Sequence, residues 1–164
     1  MTNELLTLSA AELARRIQAR AVRVREVIDA HIAQIEAVNP AINAVITADF
    51  ETARQAAASA DEHIDQHGSD DLPPLFGVPI TIKDCWPVRG LRFTAGTWHM
   101  RDQIADDDAP VVRKLREAGA IILGKTNCPD LSWMFETTNP IFGRTNNPRA
   151  LDRSVGGSSG GEAA

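Results

Sequence analysis

Two features of the sequence carry groups that could do chemistry together. Lys83 closes the apolar run of residues 78–82, and residues 155–162, near the end of the chain, hold four glycines around Ser158 and Ser159. Glycine permits turns and close backbone approaches that a β-carbon would block, and successive N–H groups in such a loop can converge on an anion. A serine needs an adjacent base to react, and a neutral lysine can be that base. Lys83 and a serine of the glycine stretch are thus a candidate proton relay, and a plain Gly/Ser linker is the alternative.

The composition excludes several classes of function. The chain has 164 residues, of which 43% are hydrophobic and 24% charged, as in an ordinary globular protein. Its net charge of −5 offers no basic face to nucleic acid. No apolar run approaches the roughly 20 residues that span a bilayer, and the N-terminus lacks the pattern of a signal peptide. We therefore expect a cytoplasmic protein without a nucleic-acid partner or a membrane span.

The first part of the chain is predicted to be helical. Residues 9–12 fit a capping box that starts one helix. An apolar stripe from Val24 predicts a second helix, which we expect to end at Asn39 because the residue before a proline avoids the helical region. A β-branched, apolar stretch predicts a strand over residues 41–46, and an alanine-rich stripe predicts a third helix over residues 50–64.

The later part of the chain alternates strands with a helix. Buried strands are predicted over residues 76–82 and 120–124, and a helix between them begins near Pro110. Strand, helix and strand in that order predict an α/β fold with a mixed central sheet covered by helices. We expect one domain, with a helical portion at residues 1–70 and a strand and helix portion at residues 71–164.

Five motifs lie at residues 77–84, 94–97, 118–127, 139–145 and 156–161. Together they resemble the amidase signature family. They follow that family's order over roughly the second half of the chain, and the ordered set is far more specific than any one motif.

The resemblance implies amide hydrolysis by a Ser–cis-Ser–Lys triad. Lys83 matches the family's lysine, and Ser158 matches its bridging serine, which follows a cis peptide bond from Gly157. The nucleophilic serine of the family lies in a further glycine-rich segment, and no residue of this chain matches it. We therefore expect the N-terminal portion of an amidase domain, incomplete at its C-terminus, whose isolated 164 residues are inactive.

The resemblance also implies where a small-molecule amide binds. Residues 131–135 run beside the acyl-binding channel in the family, so Ser132 and Trp133 are expected to contact substrate, together with Ser159. The aromatic and thioether groups of this segment could equally be plain core.

Several other residues are interpreted as structural. His31 lies on a helical stripe and is interpreted as a core-edge side chain, and Lys125 is given no catalytic role. Asp84 is expected to orient its loop or to pair with an arginine or with backbone N–H groups. Cys85 and Cys128 lack two further ligands at suitable spacing, so we expect neither a metal nor another cofactor.

Three functions remain open on the sequence alone. The first is an amidase-signature hydrolase that cleaves a carboxamide C–N bond. The second is the glutaminase subunit of a tRNA-dependent amidotransferase, which residues 128–130 favour less. The third is a non-catalytic, truncated remnant or interaction module, which would self-associate through uncovered apolar surface. Phosphate binding by the terminal glycines is disfavoured because no Lys-Ser/Thr pair follows them.

Overall fold

The computed structural model describes residues 2–164, with side chains from Glu4 onward. Helices and short strands follow one another along the chain, which gives an α/β fold. The helices are α1 Thr2–Leu5, α2 Ala10–Gln18, α3 Val24–Ile42, α4 Phe50–His67, α5 Pro110–Glu117 and α6 Gly160–Ala163.

The strands form one three-stranded sheet and two small two-stranded sheets. The strands are β1 Val45–Ala48, β2 Pro79–Lys83, β3 Ile121–Thr126, β4 Thr138–Asn139, β5 Gly143–Arg144, β6 Asn146–Asn147 and β7 Ala150–Ser154. The main sheet has the order β1-β3-β2, while β4 pairs with β5 and β6 with β7. All six residues of β3 are buried, and the first four belong to the continuous apolar run that predicts a buried strand.

The main sheet is mixed. Strand β1 pairs antiparallel with β3. Strand β2 runs parallel to β3, because the Ile121 N–H bonds to the Val78 carbonyl at one end and the Asp84 N–H bonds to the Thr126 carbonyl at the other. The α/β fold with a mixed sheet that the sequence predicts is therefore confirmed.

The chain divides into two compact units, each drawn from three segments. The first consists of residues up to Gln34, Asp49–Ile80 and Arg113–Leu123. The second consists of Ile35–Ala48, Thr81–Val112 and Gly124–Ala164. The single domain divided at residue 70 stays a prediction.

Side chains cap the starts of α2 and α3 in the first unit. The Ser9 hydroxyl accepts the Glu12 N–H at 3.2 Å, so the first half of the predicted capping box is present. Asp61 of α4 is 2% exposed, and its carboxylate accepts the N–H groups of Val24 and Arg25 at 2.8 and 3.2 Å. A carboxylate at a helix N-terminus also complements the helix dipole, so Asp61 fixes α3 against α4.

Helix α3 ends at Ile42, and the end predicted at Asn39 is wrong. Pro40 lies inside the last turn of the helix. The Asn39 side chain explains the extension, because its Oδ1 accepts the N–H groups of Ala44 and Val45, both at 2.8 Å. These local bonds outweigh the preference against a helical residue before proline.

Strand β1 begins at Val45, so the strand predicted over residues 41–46 is wrong for its first four positions. Asn43 takes a φ of 53° and donates its N–H to the Asn39 carbonyl at 2.7 Å. Asparagine tolerates this left-handed conformation and is a common residue at helix ends. The apolar residues before Asn43 therefore belong to the helix.

Candidate active site

The candidate site lies in the second unit, where the end of β2 meets the glycine-rich loop. Lys83 is the last residue of β2 and is half-buried. Its Nζ donates hydrogen bonds to Ser158 Oγ at 2.9 Å and to Ser159 Oγ at 3.1 Å. Three of the residues predicted from the sequence are thus brought together around one amine.

The loop that carries the two serines has no room for a side chain at Gly157 or Gly161. The peptide bond between Gly157 and Ser158 is cis, as the family resemblance implies. A β-carbon on Gly157 would lie 2.7 Å from the Met134 carbonyl oxygen, inside van der Waals contact. A β-carbon on Gly161 would collide with the backbone nitrogen of Asn127. Glycine at these positions lets the loop approach neighbouring backbone closely.

Thr137 joins the two ends of the loop. Its side chain is fully buried, and its hydroxyl donates to the Gly156 carbonyl at 2.7 Å and accepts the Gly160 N–H at 3.1 Å. No sequence pattern signals this role, because Thr137 lies just before the motif that begins at Asn139. A single hydroxyl therefore holds the backbone on both sides of Ser158.

Glu162 ties the helix after the loop to the main sheet. Its carboxylate accepts hydrogen bonds from the hydroxyls of Thr81 at 2.8 Å and Thr126 at 2.6 Å. Thr81 lies in β2 and Thr126 ends β3, so Glu162 contacts both parallel strands. This arrangement holds α6 beside the end of β2 that presents Lys83.

Asp84, the residue after Lys83, forms a buried ion pair with Lys125. Asp84 and Lys125 are both 0% exposed, and Lys125 Nζ lies 3.3 Å from Asp84 Oδ1. The Asp84 carboxylate also accepts the Thr94 N–H at 3.2 Å and the Thr94 hydroxyl. Lys125 donates a second bond to the Arg92 carbonyl at 3.1 Å. Burial lowers the pKa of Lys125, and the charge of Asp84 opposes that shift.

The ion pair bears on two expectations. Lys125 contacts Asp84 and the Arg92 carbonyl, and its lack of a catalytic role stays a prediction. The partner expected for Asp84 was an arginine or backbone N–H groups, whereas its charged partner is Lys125 and Thr94 supplies a backbone N–H. The sequence could not pair Asp84 with Lys125, since 41 residues separate them.

The segment expected to line the substrate channel is largely exposed. Trp133 is 87% exposed and Phe135 is 91% exposed, while Ser132 is half-buried with a φ of 60°. The aromatic side chains are therefore not part of the core of the second unit. Substrate contact by Ser132 and Trp133 stays a prediction.

The two cysteines have different surroundings. Cys128 is fully buried and Cys85 is half-buried. Burial raises the pKa of the Cys128 thiol to about 11.

Within residues 2–164, no group of three or more His, Cys, Asp and Glu side chains is placed to hold a metal ion. In that same part of the chain, no helix combines the length and the apolar character needed to cross a membrane.

The Lys83 cluster has the geometry of a proton relay. An amine within hydrogen-bond distance of a hydroxyl can take a proton from it or return one. Ser158 lies closer to the amine than Ser159 does, and a hydroxyl can bond a third group while it contacts the amine. Such an arrangement suits a reaction in which a proton is first removed from a nucleophile and later given to a leaving group.

The chain matches one family model, and it is similar in sequence to an amide hydrolase and to an amidotransferase subunit. The family model described as Amidase matches residues 26–164. The chain is 45% identical over 169 residues to fatty-acid amide hydrolase 2-A of Danio rerio, covering 100% of this chain and 32% of that protein. It is 42% identical over 162 residues to the A subunit of glutamyl-tRNA(Gln) amidotransferase from Acidothermus cellulolyticus, covering 99% and 32%.

Solved structures agree with these matches. The structure of a 6-aminohexanoate cyclic dimer hydrolase superposes with a TM-score of 0.83 at 37% identity, covering 94% of this chain and 30% of that one. The chain thus spans about a third of the length of the curated relatives it matches.

Proposed function

We propose that this chain, which belongs to the amidase signature family, forms part of a hydrolase that cleaves carboxamide C–N bonds to a carboxylate and an amine or ammonia. The observation that carries the proposal is the hydrogen bond of 2.9 Å between Lys83 Nζ and Ser158 Oγ. Family membership supports amide hydrolysis in general, and this contact supports the route by which a proton would move.

In the proposed mechanism, Lys83 is the base and Ser158 is the relay. The hydroxyl of the nucleophilic serine gives its proton to Ser158 Oγ, and Ser158 gives its own proton to neutral Lys83 as the new C–O bond forms. One proton returns by the reverse route, as Lys83 gives its added proton back to Ser158 and Ser158 gives its own proton to the nitrogen of the leaving amine while the C–N bond breaks. Water then attacks the acyl ester by the same relay and releases the carboxylate.

In the amidase signature family, the nucleophilic serine lies in a further glycine-rich segment. No residue of this chain matches that serine. We therefore propose that the chain supplies the base and the relay, and that the following segment of the amidase domain supplies the nucleophilic serine. The isolated 164 residues should show no turnover that depends on Lys83.

We propose a linear acyl amide as the substrate. Ser132, Trp133 and Ser159 are the proposed contact residues. The exposed apolar side chains of residues 131–135 support an apolar acyl group, and the fatty-acid amide hydrolase among the relatives is consistent with it.

The test is an amide panel, assayed with this chain extended by a segment that carries the nucleophilic serine. The panel contains a long-chain acyl amide, a short aliphatic amide and L-glutamine, and both the carboxylate and the released ammonia are measured. Hydrolysis of an acyl amide without any partner supports the proposal. If no amide is cleaved either alone or with an added partner protein, the catalytic proposal fails and an interaction module is the interpretation left.

A glutaminase subunit is the second candidate. The 42% identity to the A subunit of an amidotransferase supports it. In that case L-glutamine should be the one amide of the panel that releases ammonia, and the rate of release should depend on an added partner protein. The two candidates therefore differ in both substrate and partner dependence.

A further inference from the structure

Thr137 contacts the loop between Gly156 and Gly160 at both of its ends. From this geometry we propose that Thr137 is a positioning residue, which holds the loop so that the hydroxyls of Ser158 and Ser159 face Lys83. The inference rests on the proposed function only for what Lys83 does chemically. The position of the hydroxyls is a separate, measurable property.

Ser159 lies at the N-cap of α6, but its side chain does not cap the helix. The Ser159 carbonyl accepts the Ala163 N–H at 3.1 Å, as an N-cap carbonyl does. The side chain of an N-cap serine usually accepts a backbone N–H in the first turn of its helix. The Ser159 side chain makes no such bond, and its hydroxyl accepts a hydrogen bond from Lys83 at 3.1 Å.

The N–H that follows Ser159 is satisfied by Thr137. The Gly160 N–H is buried and donates to Thr137 Oγ1 at 3.1 Å. A buried N–H without a partner is costly, so some group must satisfy it. Thr137 thus provides a bond at the start of α6 while the Ser159 hydroxyl stays on Lys83.

The other end of the loop is bonded to the same hydroxyl. The Thr137 hydroxyl has one donor, which it gives to the Gly156 carbonyl at 2.7 Å. A β-carbon on Gly160 would collide with Thr137 Oγ1, so glycine at this position allows the close approach. Because one hydroxyl bonds both ends, the backbone that carries Ser158 is fixed between two hydrogen bonds.

Loss of the Thr137 hydroxyl should therefore release the serines from Lys83. Without it, the Gly160 N–H loses its acceptor and the Gly156 carbonyl loses its donor, so the backbone on both sides of Ser158 is no longer held. The serine hydroxyls would then leave Lys83 part of the time, and Lys83 would lose part of its protection.

The experiment compares the reactivity of lysines in the 164-residue chain. The sequence contains three lysines: Lys83 at the site, Lys114 on the surface and the fully buried Lys125. Wild type, Thr137→Val and Thr137→Ser are treated with an amine-acetylating reagent, and the rate at each lysine is followed by peptide mass spectrometry. Lys114 reports reagent activity, and Lys125 reports unfolding.

Thr137→Val, which keeps the shape of the side chain, should raise the acetylation rate of Lys83 roughly tenfold, as expected for lost hydrogen bonds. Thr137→Ser keeps the hydroxyl and should stay within about twofold of wild type. The rates at Lys114 and Lys125 should not change. An unchanged rate at Lys83 overturns the inference, and so does a rise at Lys83 matched by Lys125, because Thr137 would then only stabilise the fold.

Thr137→Cys serves if the valine variant does not fold. A thiol is a weaker donor and acceptor than a hydroxyl, so Lys83 acetylation should rise roughly threefold with Lys125 still protected. No rise would overturn the inference. Because acetylation needs no turnover, the expected pattern at Lys83 combined with no amide cleavage by the extended chain would sink the proposed function and leave the role of Thr137 standing.

Discussion

Lys83 Nζ lies 2.9 Å from Ser158 Oγ, although the two residues are 75 positions apart in the sequence. One comes from the end of a strand and the other from a glycine-rich loop, so neither position is set by its neighbours in the chain alone. The loop is held by Thr137, and the helix after it is tied to β2 and β3 by Glu162. The contact is therefore built from the tertiary structure around two separate motifs.

The buried pair of Asp84 and Lys125 should be needed for stability. Lys125→Met leaves the Asp84 carboxylate buried without its charged partner, which should lower the free energy of unfolding by about 3–5 kcal/mol. Urea denaturation of the 164-residue chain measures the change. Lys114→Met, at an exposed position, is the matched control and should change stability by no more than about 0.5 kcal/mol.

The double variant Asp84→Asn/Lys125→Met separates charge from packing. It leaves no unpaired buried charge, so it should recover a large part of the stability lost in Lys125→Met. If Lys125→Met is as stable as wild type, the charge of Lys125 does not contribute to the free energy of unfolding.

Cys128 should make the protein less stable at alkaline pH. The thiol pKa is about 11 in the folded chain and 9.0 ordinarily, so below pH 9 both states keep the proton and the full contribution is present. As the pH rises from 9 to 11, the unfolded state releases its proton first, and up to about 2–3 kcal/mol of stability is lost.

The measurement is urea denaturation from pH 8 to 11 for wild type and Cys128→Ala. Lys125 acts in the opposite sense, because its lowered pKa makes its contribution grow as the pH approaches 10.5. Subtracting the free energies of unfolding of the two proteins removes most of the Lys125 contribution, and the packing lost with the sulfur adds an offset that does not change with pH. A difference that stays flat from pH 9 to 11 would refute the raised pKa.

Gly161 should not tolerate a side chain. A β-carbon there would collide with the Asn127 nitrogen and would lie 2.8 Å from the Ala44 carbonyl oxygen, and backbone atoms cannot easily move aside. Gly161→Ala should therefore destabilise the chain by more than about 2 kcal/mol.

Gly143→Ala is the comparison for that variant. Gly143 has open space around it but a φ of 77°, so alanine there should cost only about 1 kcal/mol of backbone strain. Thermal unfolding of both variants gives the ranking. If Gly161→Ala and Gly143→Ala lower the stability equally, the close backbone contacts at Gly161 do not limit which residue fits there.

The sequence predicted most of the elements and the contact of Lys83 with Ser158. A capping box located α2, an alanine-rich stripe located α4 and a continuous apolar run located the buried strand β3, while the ordered motifs identified Lys83 and Ser158 as a pair. The end of α3 was missed because Asn39 bonds to the chain after the helix, which a local rule for proline cannot anticipate.

Contacts that depend on tertiary structure were also missed. Thr137, Glu162 and the pairing of Asp84 with Lys125 lack a local pattern, since each bonds to residues far away in the chain. Their types are common in any soluble protein, and only the fold reveals what they hold. Sequence motifs found the proposed reacting groups, while the residues that contact the loop around them required the structure.

The most direct test of the proposed mechanism is the amide hydrolysis rate of Lys83→Met. The assay uses the chain extended by a segment that carries the nucleophilic serine, with the best amide of the panel, and Lys114→Met as the control. Loss of the base should lower kcat/KM by about 100- to 10,000-fold, while the control keeps the wild-type value. A Lys83→Met protein that is folded and fully active would contradict the assignment of Lys83 as the base.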